Sequence, residues 1–76
     1  MKKISNESIK KFLLVTLSKY SESVSLDSLI TDVFTTEIDY VSFLLQVENK
    51  LGIEIHDENA MSFETINDIV KYYYEF

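Results

Sequence analysis

Nucleophiles, histidines and metal-binding side chains are what let a protein do chemistry, and this chain of 76 residues has few of them. It has no cysteine and a single histidine, His56, so neither a disulfide framework nor a Cys/His zinc site can be built. No Ser, Cys or second His stands beside His56, which leaves no triad of nucleophile, base and orienting group; it reads as an exposed connector residue. Asp57-Glu58-Asn59, with Asp68 eleven positions on from Asp57, has the outline of a calcium loop. Ser62 stands where that loop needs glycine, and Asp68 where it needs a bidentate glutamate, so the pattern fails. Tyr72-Tyr73-Tyr74 is an aromatic cluster without the basic groove that tracks a nucleic-acid backbone. No catalytic constellation can be assembled, and the chain is not read as an enzyme.

Surface charge is the remaining lead. The formal net charge is −6 and unevenly placed. Residues 1–20 hold Lys2, Lys3, Lys10, Lys11 and Lys19 against Glu7, a net +4; residues 21–76 hold two lysines against twelve acids, a net −10. Most of the chain would repel phosphates, so nucleic acid is not an expected partner. Acidic surface suits basic protein partners, or it is simply solvated polarity. No apolar run approaches the roughly 18 residues of a membrane span. The opening MKKISNESIKKF has no apolar h-region and no small-residue cleavage site, so it is not read as a signal peptide, and the expected location is cytoplasmic. An apolar fraction of 46% against 26% charged supports a core rather than disorder. The length is about half that of a domain of roughly 150 residues, which implies one domain over 1–76, expected to be a monomer.

With no proline and one glycine, helix periodicity is the main structural signal. Ile9, Phe12, Leu13, Thr16, Leu17 and Tyr20 predict an amphipathic helix over about 5–20, capped by Ser5 or Asn6. Residues 21–35 have no sustained period and predict a long, packed loop. The next helix is the clearest, over about 36–51: Thr36 caps it with Asp39 three residues on, and Tyr40, Phe43, Leu44, Val47 and Leu51 form its apolar stripe. Gly52 follows as the residue that most easily turns left-handed. Ile53-Glu54-Ile55 reads as an extended connector and Asp57 to Met61 as one helical turn capped by Asp57. A last helix spans about 64–75, with Ile66, Ile69, Val70 and Tyr73 inward and Phe76 closing its end. The architecture is an all-α bundle of four helices, the third very short, with a long loop between the first two.

The run from Asp39 to Ala60 resembles the acyl carrier protein family. Leu51-Gly52-Ile53-Glu54-Ile55 matches that family's Gly-Ile-Glu-Ile step, and Asp57-Glu58-Asn59-Ala60 its acidic turn, with His56 where proline is common. Phe63-Glu64-Thr65-Ile66 and Val70-Lys71-Tyr72 fit its last helix, and the resemblance runs without gaps from Asp32 onward. It implies the carrier bundle as the fold. The family carries 4'-phosphopantetheine on the serine of an Asp-Ser-Leu motif that opens its second helix. Counted back from Glu54-Ile55, that motif falls on Thr36-Glu37-Ile38, with Val33-Phe34 where a Leu-Gly step is usual. A carboxylate at the serine's position cannot form the phosphodiester, so no cofactor is expected. A literal Asp27-Ser28-Leu29 lies nine residues too early and reads as loop polarity with one packed leucine.

Glu37 has two compatible explanations. A carboxylate in a first helical turn gains roughly 0.3–1 kcal/mol from the helix dipole. It also keeps an anion where the family's partners meet one. The family's docking strip on this helix falls on Ile38, Asp39, Ser42, Leu45, Glu48 and Asn49, of which Ile38, Asp39, Leu45 and Glu48 keep the family's apolar or acidic character. The expected function is thus a carrier-like docking or regulatory partner, without catalysis, of an acyl or peptidyl transfer or synthase enzyme. That enzyme's basic surface would meet Glu37, Ile38, Asp39, Leu45 and Glu48. The alternative is a working carrier for fatty acid, polyketide or peptide synthesis, with 4'-phosphopantetheine on Thr35, Thr36 or Ser42. Phe12, Tyr40, Phe43, Phe63 and Tyr73 are expected to fill the interior, leaving no channel to Glu37.

Overall fold

The computed structural model describes residues 4–75. Its elements are α1 (Asn6–Leu17), α2 (Ile30–Val33), α3 (Glu37–Leu51), α4 (Asp57–Ser62) and α5 (Ile66–Glu75). The fold is all-α, and the one β contact among the described residues is an isolated bridge between Leu29 and Thr65.

Helix α1 starts at Ser5, whose hydroxyl accepts the Ser8 N–H at 3.3 Å. It stops at Leu17 rather than Tyr20, because the Lys19 and Tyr20 amides switch to the carbonyls three residues back, Thr16 and Leu17. That tighter winding is common where a helix frays out. Ile9, Leu13, Thr16 and Leu17 are buried, with Phe12 and Tyr20 half-buried beside them.

The expected loop contains a further helix, α2, and this corrects the four-helix count. Four residues carry no readable period, and what fixes them is tertiary. Ile30 N–H donates to Glu64 O at 2.9 Å, while Ile66 N–H and Asn67 N–H donate to Ser28 O and Leu26 O at 3.2 and 2.8 Å. The loop is thereby stitched to the start of α5, and Ile30, Val33 and Phe34 drop into the core. Ser28 is spent in the same turn, its hydroxyl accepting the Ser25 N–H at 2.9 Å, as its reading as loop polarity anticipated, but Leu29, expected to be packed, is 45% exposed.

Helix α3 matches its expected bounds. Thr36 caps it, and Gly52 ends it at φ 68°, where its N–H and that of Ile53 both reach Glu48 O. This left-handed ending satisfies a carbonyl that has no helical partner. Helix α4 is capped by His56 rather than Asp57: the His56 carbonyl receives the Asn59 and Ala60 amides at 3.0 and 2.9 Å. Asp57 and Glu58 instead occupy its first turn, the favourable end for acids.

Helix α5 starts two residues later than expected. Asp68 Oδ2 accepts the N–H groups of Glu64 and Thr65 at 2.8 and 3.1 Å, the backward half of a capping box. These bonds, Glu64's first, hold the Asp68 carboxyl below the usual range. Ile66, Ile69, Val70 and Tyr73 are buried as expected, while Phe76 lies outside the described residues. The three tyrosines point three ways: Tyr72 OH donates to Glu54 O, Tyr73 OH accepts the Ile4 N–H, and Tyr74 OH donates to Ile4 O.

Two stability predictions follow from these ends. Gly52→Ala meets no atom within 4 Å, so only its left-handed backbone resists, and chemical denaturation should show a loss of about 1 kcal/mol. Asp68→Ala should lose about 1 kcal/mol near neutral pH. Because the folded pKa is lowered, this contribution is present above the unfolded value of about 3.9 and fades as pH falls through the folded one. Denaturation of the two proteins at about pH 3 should therefore show a smaller gap than near neutrality.

Candidate functional site: the exposed face of α3

The Thr36 backbone is extended (φ −132°, ψ 153°), and its hydroxyl accepts the Asp39 N–H at 3.2 Å. This cap places Glu37 as the first helical residue, exposed, over the positive end of α3. Behind it, Phe34 is buried with ring centroids 5.1 Å from Tyr20, 5.4 Å from Tyr40 and 5.2 Å from Phe43. Such tilted and edge-on contacts are favourable aromatic geometry. They wedge the residues before Thr36 against the core, so the cap has a fixed position.

From Glu37 the face of α3 runs outward through Ile38 (77% exposed), Val41 (48%) and Leu45 (55%). At 100° per residue these three share one side, opposite buried Phe43 and Val47. Glu37 and Glu48 flank the apolar row on the α4 side and Asp39 flanks it on the other. Of the expected residues, Glu37, Ile38, Leu45 and half-buried Glu48 are brought to one side of α3, whereas half-buried Asp39 stands half a turn round the helix from Glu48, at the margin with the core.

Glu48 has a structural duty besides. Its Oε2 accepts the Ile55 N–H at 2.7 Å, satisfying a connector amide that has no helix or strand partner. One carboxylate oxygen is therefore committed inward.

Two residues of this face were not anticipated. Val41 falls outside both the expected apolar stripe and the expected docking strip of α3. Met61, on α4, is 86% exposed, and nothing in its local sequence ties it to α3. An apolar residue in the last turn of a six-residue amphipathic helix was the one available signal.

The expectation that aromatic rings close the interior is corrected. Phe43 and Tyr73 are core, but Phe12, Tyr40 and Phe63 are half-buried at its edge. Tyr40 stands as a wall between two open grooves, and its hydroxyl donates to Ala60 O at 2.7 Å. Burial pushes this phenol up to about 12, so it remains a donor throughout the ordinary pH range. One groove, about 410 Å³, lies between α3 and α4 and includes Glu37, Val41, Leu45, Glu48, Asp57 and Met61. The other, about 450 Å³, runs past Phe34, Thr35, Thr36 and Phe63. Both reach Glu37.

Of the three hydroxyls near the helix start, Thr35 is exposed, Thr36 is held by its cap, and Ser42 sits exposed further along α3. Among the described residues, no three His, Asp or Glu side chains converge as a metal site, and no helix is long and apolar enough to cross a membrane.

No protein-family model matches the chain. Individual relatives do. An acyl carrier protein of Clostridium perfringens is 30% identical over 67 residues, covering 87% of this chain and 88% of its own. Those of Helicobacter hepaticus and Campylobacter hominis are 34% and 33% identical over 67 residues, covering 88% and 85% of their own lengths. With identity at this level over nearly the whole of each relative, and an all-α fold beneath it, the chain belongs to the acyl carrier protein family.

Proposed function

We propose that this chain is an acyl-carrier-like docking protein without the phosphopantetheine arm, a non-catalytic partner of an acyl or peptidyl transfer enzyme. One observation carries the reading: the start of α3 is fully built and capped, yet the exposed side chain at position 37 is a carboxylate. A carboxylate has two acceptor oxygens and no hydroxyl, so the group at this position does not fit a phosphodiester-linked arm. The neighbouring Thr36 hydroxyl already receives the Asp39 amide.

The surface around Glu37 suits recognition. Ile38, Val41, Leu45 and Met61 offer an apolar centre, and Glu37, Asp39 and Glu48 a negative border. Apolar residues inside a charged border exclude water from the contact while the charges steer approach and orientation. The partner is therefore an enzyme surface with basic residues around an apolar seat.

Intact mass after incubation with coenzyme A and a broad-specificity phosphopantetheinyl transferase tests the reading on two proteins. The chain itself should gain nothing, and Glu37→Ser should gain one arm. A gain on the unaltered chain would establish a working carrier, with fragmentation naming Thr35, Thr36 or Ser42 as the acceptor. If folded Glu37→Ser also stays unmodified, position 37 is not the family's attachment position.

A further inference from the structure

We infer that α1 presents a second docking surface, and that its occupant is the acidic, apolar face of α3 on another copy of this chain. The side of α1 away from the core carries Lys11, Leu14, Val15 and Ser18, spaced as one helical stripe, with Lys10 and Lys19 on its flanks. Leu14 is 36% exposed and Val15 58%, an apolar pair framed by lysines. This is the converse of α3, where an apolar row is framed by carboxylates.

The two faces cannot meet within one molecule. α1 and α3 are in contact, and their buried residues, among them Ile9, Leu13, Phe43 and Val47, belong to one core, so each turns its exposed face outward, away from that core. The charge follows the same division, with the lysines of residues 1–20 set against an acidic remainder. A contact between unlike faces is heterologous, so it extends into short open chains instead of closing as a symmetric dimer. α1 is about 18 Å long, which limits the contact to less than a standard interface and makes the association weak and concentration-dependent.

The inference rests on the same α3 face as the proposed docking to an enzyme, but not on that enzyme or on the absent arm. Association would cover Ile38 and Leu45, so copies and enzyme would compete for the face.

Sedimentation equilibrium on the full chain at about 0.1 M salt tests it, since copies of equal net charge are then screened at long range while contact pairs persist. The weight-average mass should rise above that of the monomer as concentration approaches the millimolar range. Lys11→Glu with Lys19→Glu should hold it at the monomer, as should Glu37→Lys with Asp39→Lys. An equimolar mixture of those two variants, each confirmed helical by circular dichroism, should associate again, because each then offers the face the other lost. A monomeric mass for the unaltered chain at every concentration would overturn the proposal. So would association that survives reversal of the α1 lysines, or a mixture that stays monomeric. Because the α1 variant leaves α3 untouched, either result leaves the reading of α3 as an enzyme-docking face standing.

Discussion

Three backbone hydrogen bonds, from Ile30, Ile66 and Asn67 to Glu64, Ser28 and Leu26, join the loop after α1 to the start of α5. A chain this small, with no disulfide to staple it, cannot leave the loop free, because an unpinned segment would neither bury its apolar residues nor hold its end in place. Once stitched, the loop delivers Ile30, Val33 and Phe34 to the core, and Phe34 locks against Tyr20, Tyr40 and Phe43. Thr36 then caps α3 at a fixed point, and Glu37 takes its place at the positive end of the helix. The exposed face is a consequence of this chain of constraints, with each link set by the one before it.

The other end of the face is secured differently. Gly52 turns left-handed to end α3, and the connector that follows hands its Ile55 amide to Glu48. Tyr40 reaches across to the Ala60 carbonyl, so α4 is tied to α3 by a half-buried phenol hydrogen bond. Met61 therefore stands opposite Val41 and Leu45 across the groove between the two helices. Apolar residues left outside a core this small are easily explained one at a time, but three around a groove with carboxylates at its edge have the composition of a contact surface.

How much of this the residues announced depended on how local the determinant was. The limits of α3 could be read because a cap, a 3.6-residue stripe and a lone glycine all speak within seventeen residues, Thr36 to Gly52. Helix α2 could not, since four residues form it only when backbone groups more than thirty positions away accept and donate. Asp57 looked like a cap on grounds of residue type, yet the chain passes the role to His56, whose carbonyl does the work that no side chain does. At the site, Ile38 and Leu45 stood out because they fall off the core stripe. Val41 belongs to neither the expected core stripe nor the expected docking strip, and Met61 joins the face only through the placement of α4 beside α3. The aromatic residues were misjudged for a related reason: their volume suggested a filled interior, whereas the Tyr40 hydroxyl needs a partner at the surface and holds its ring at the edge.

Docking without loading is the central claim, and one competition measurement addresses both halves together. A phosphopantetheinyl transferase first arms an ordinary acyl carrier protein in the presence of this chain, an acyltransferase then loads the acyl group, and the rate of that loading is followed as the amount of this chain rises. The account predicts that loading slows, that this chain emerges without an arm, and that Ile38→Glu with Leu45→Glu abolishes the inhibition. Undiminished loading at every concentration, or inhibition indifferent to those two substitutions, would contradict it.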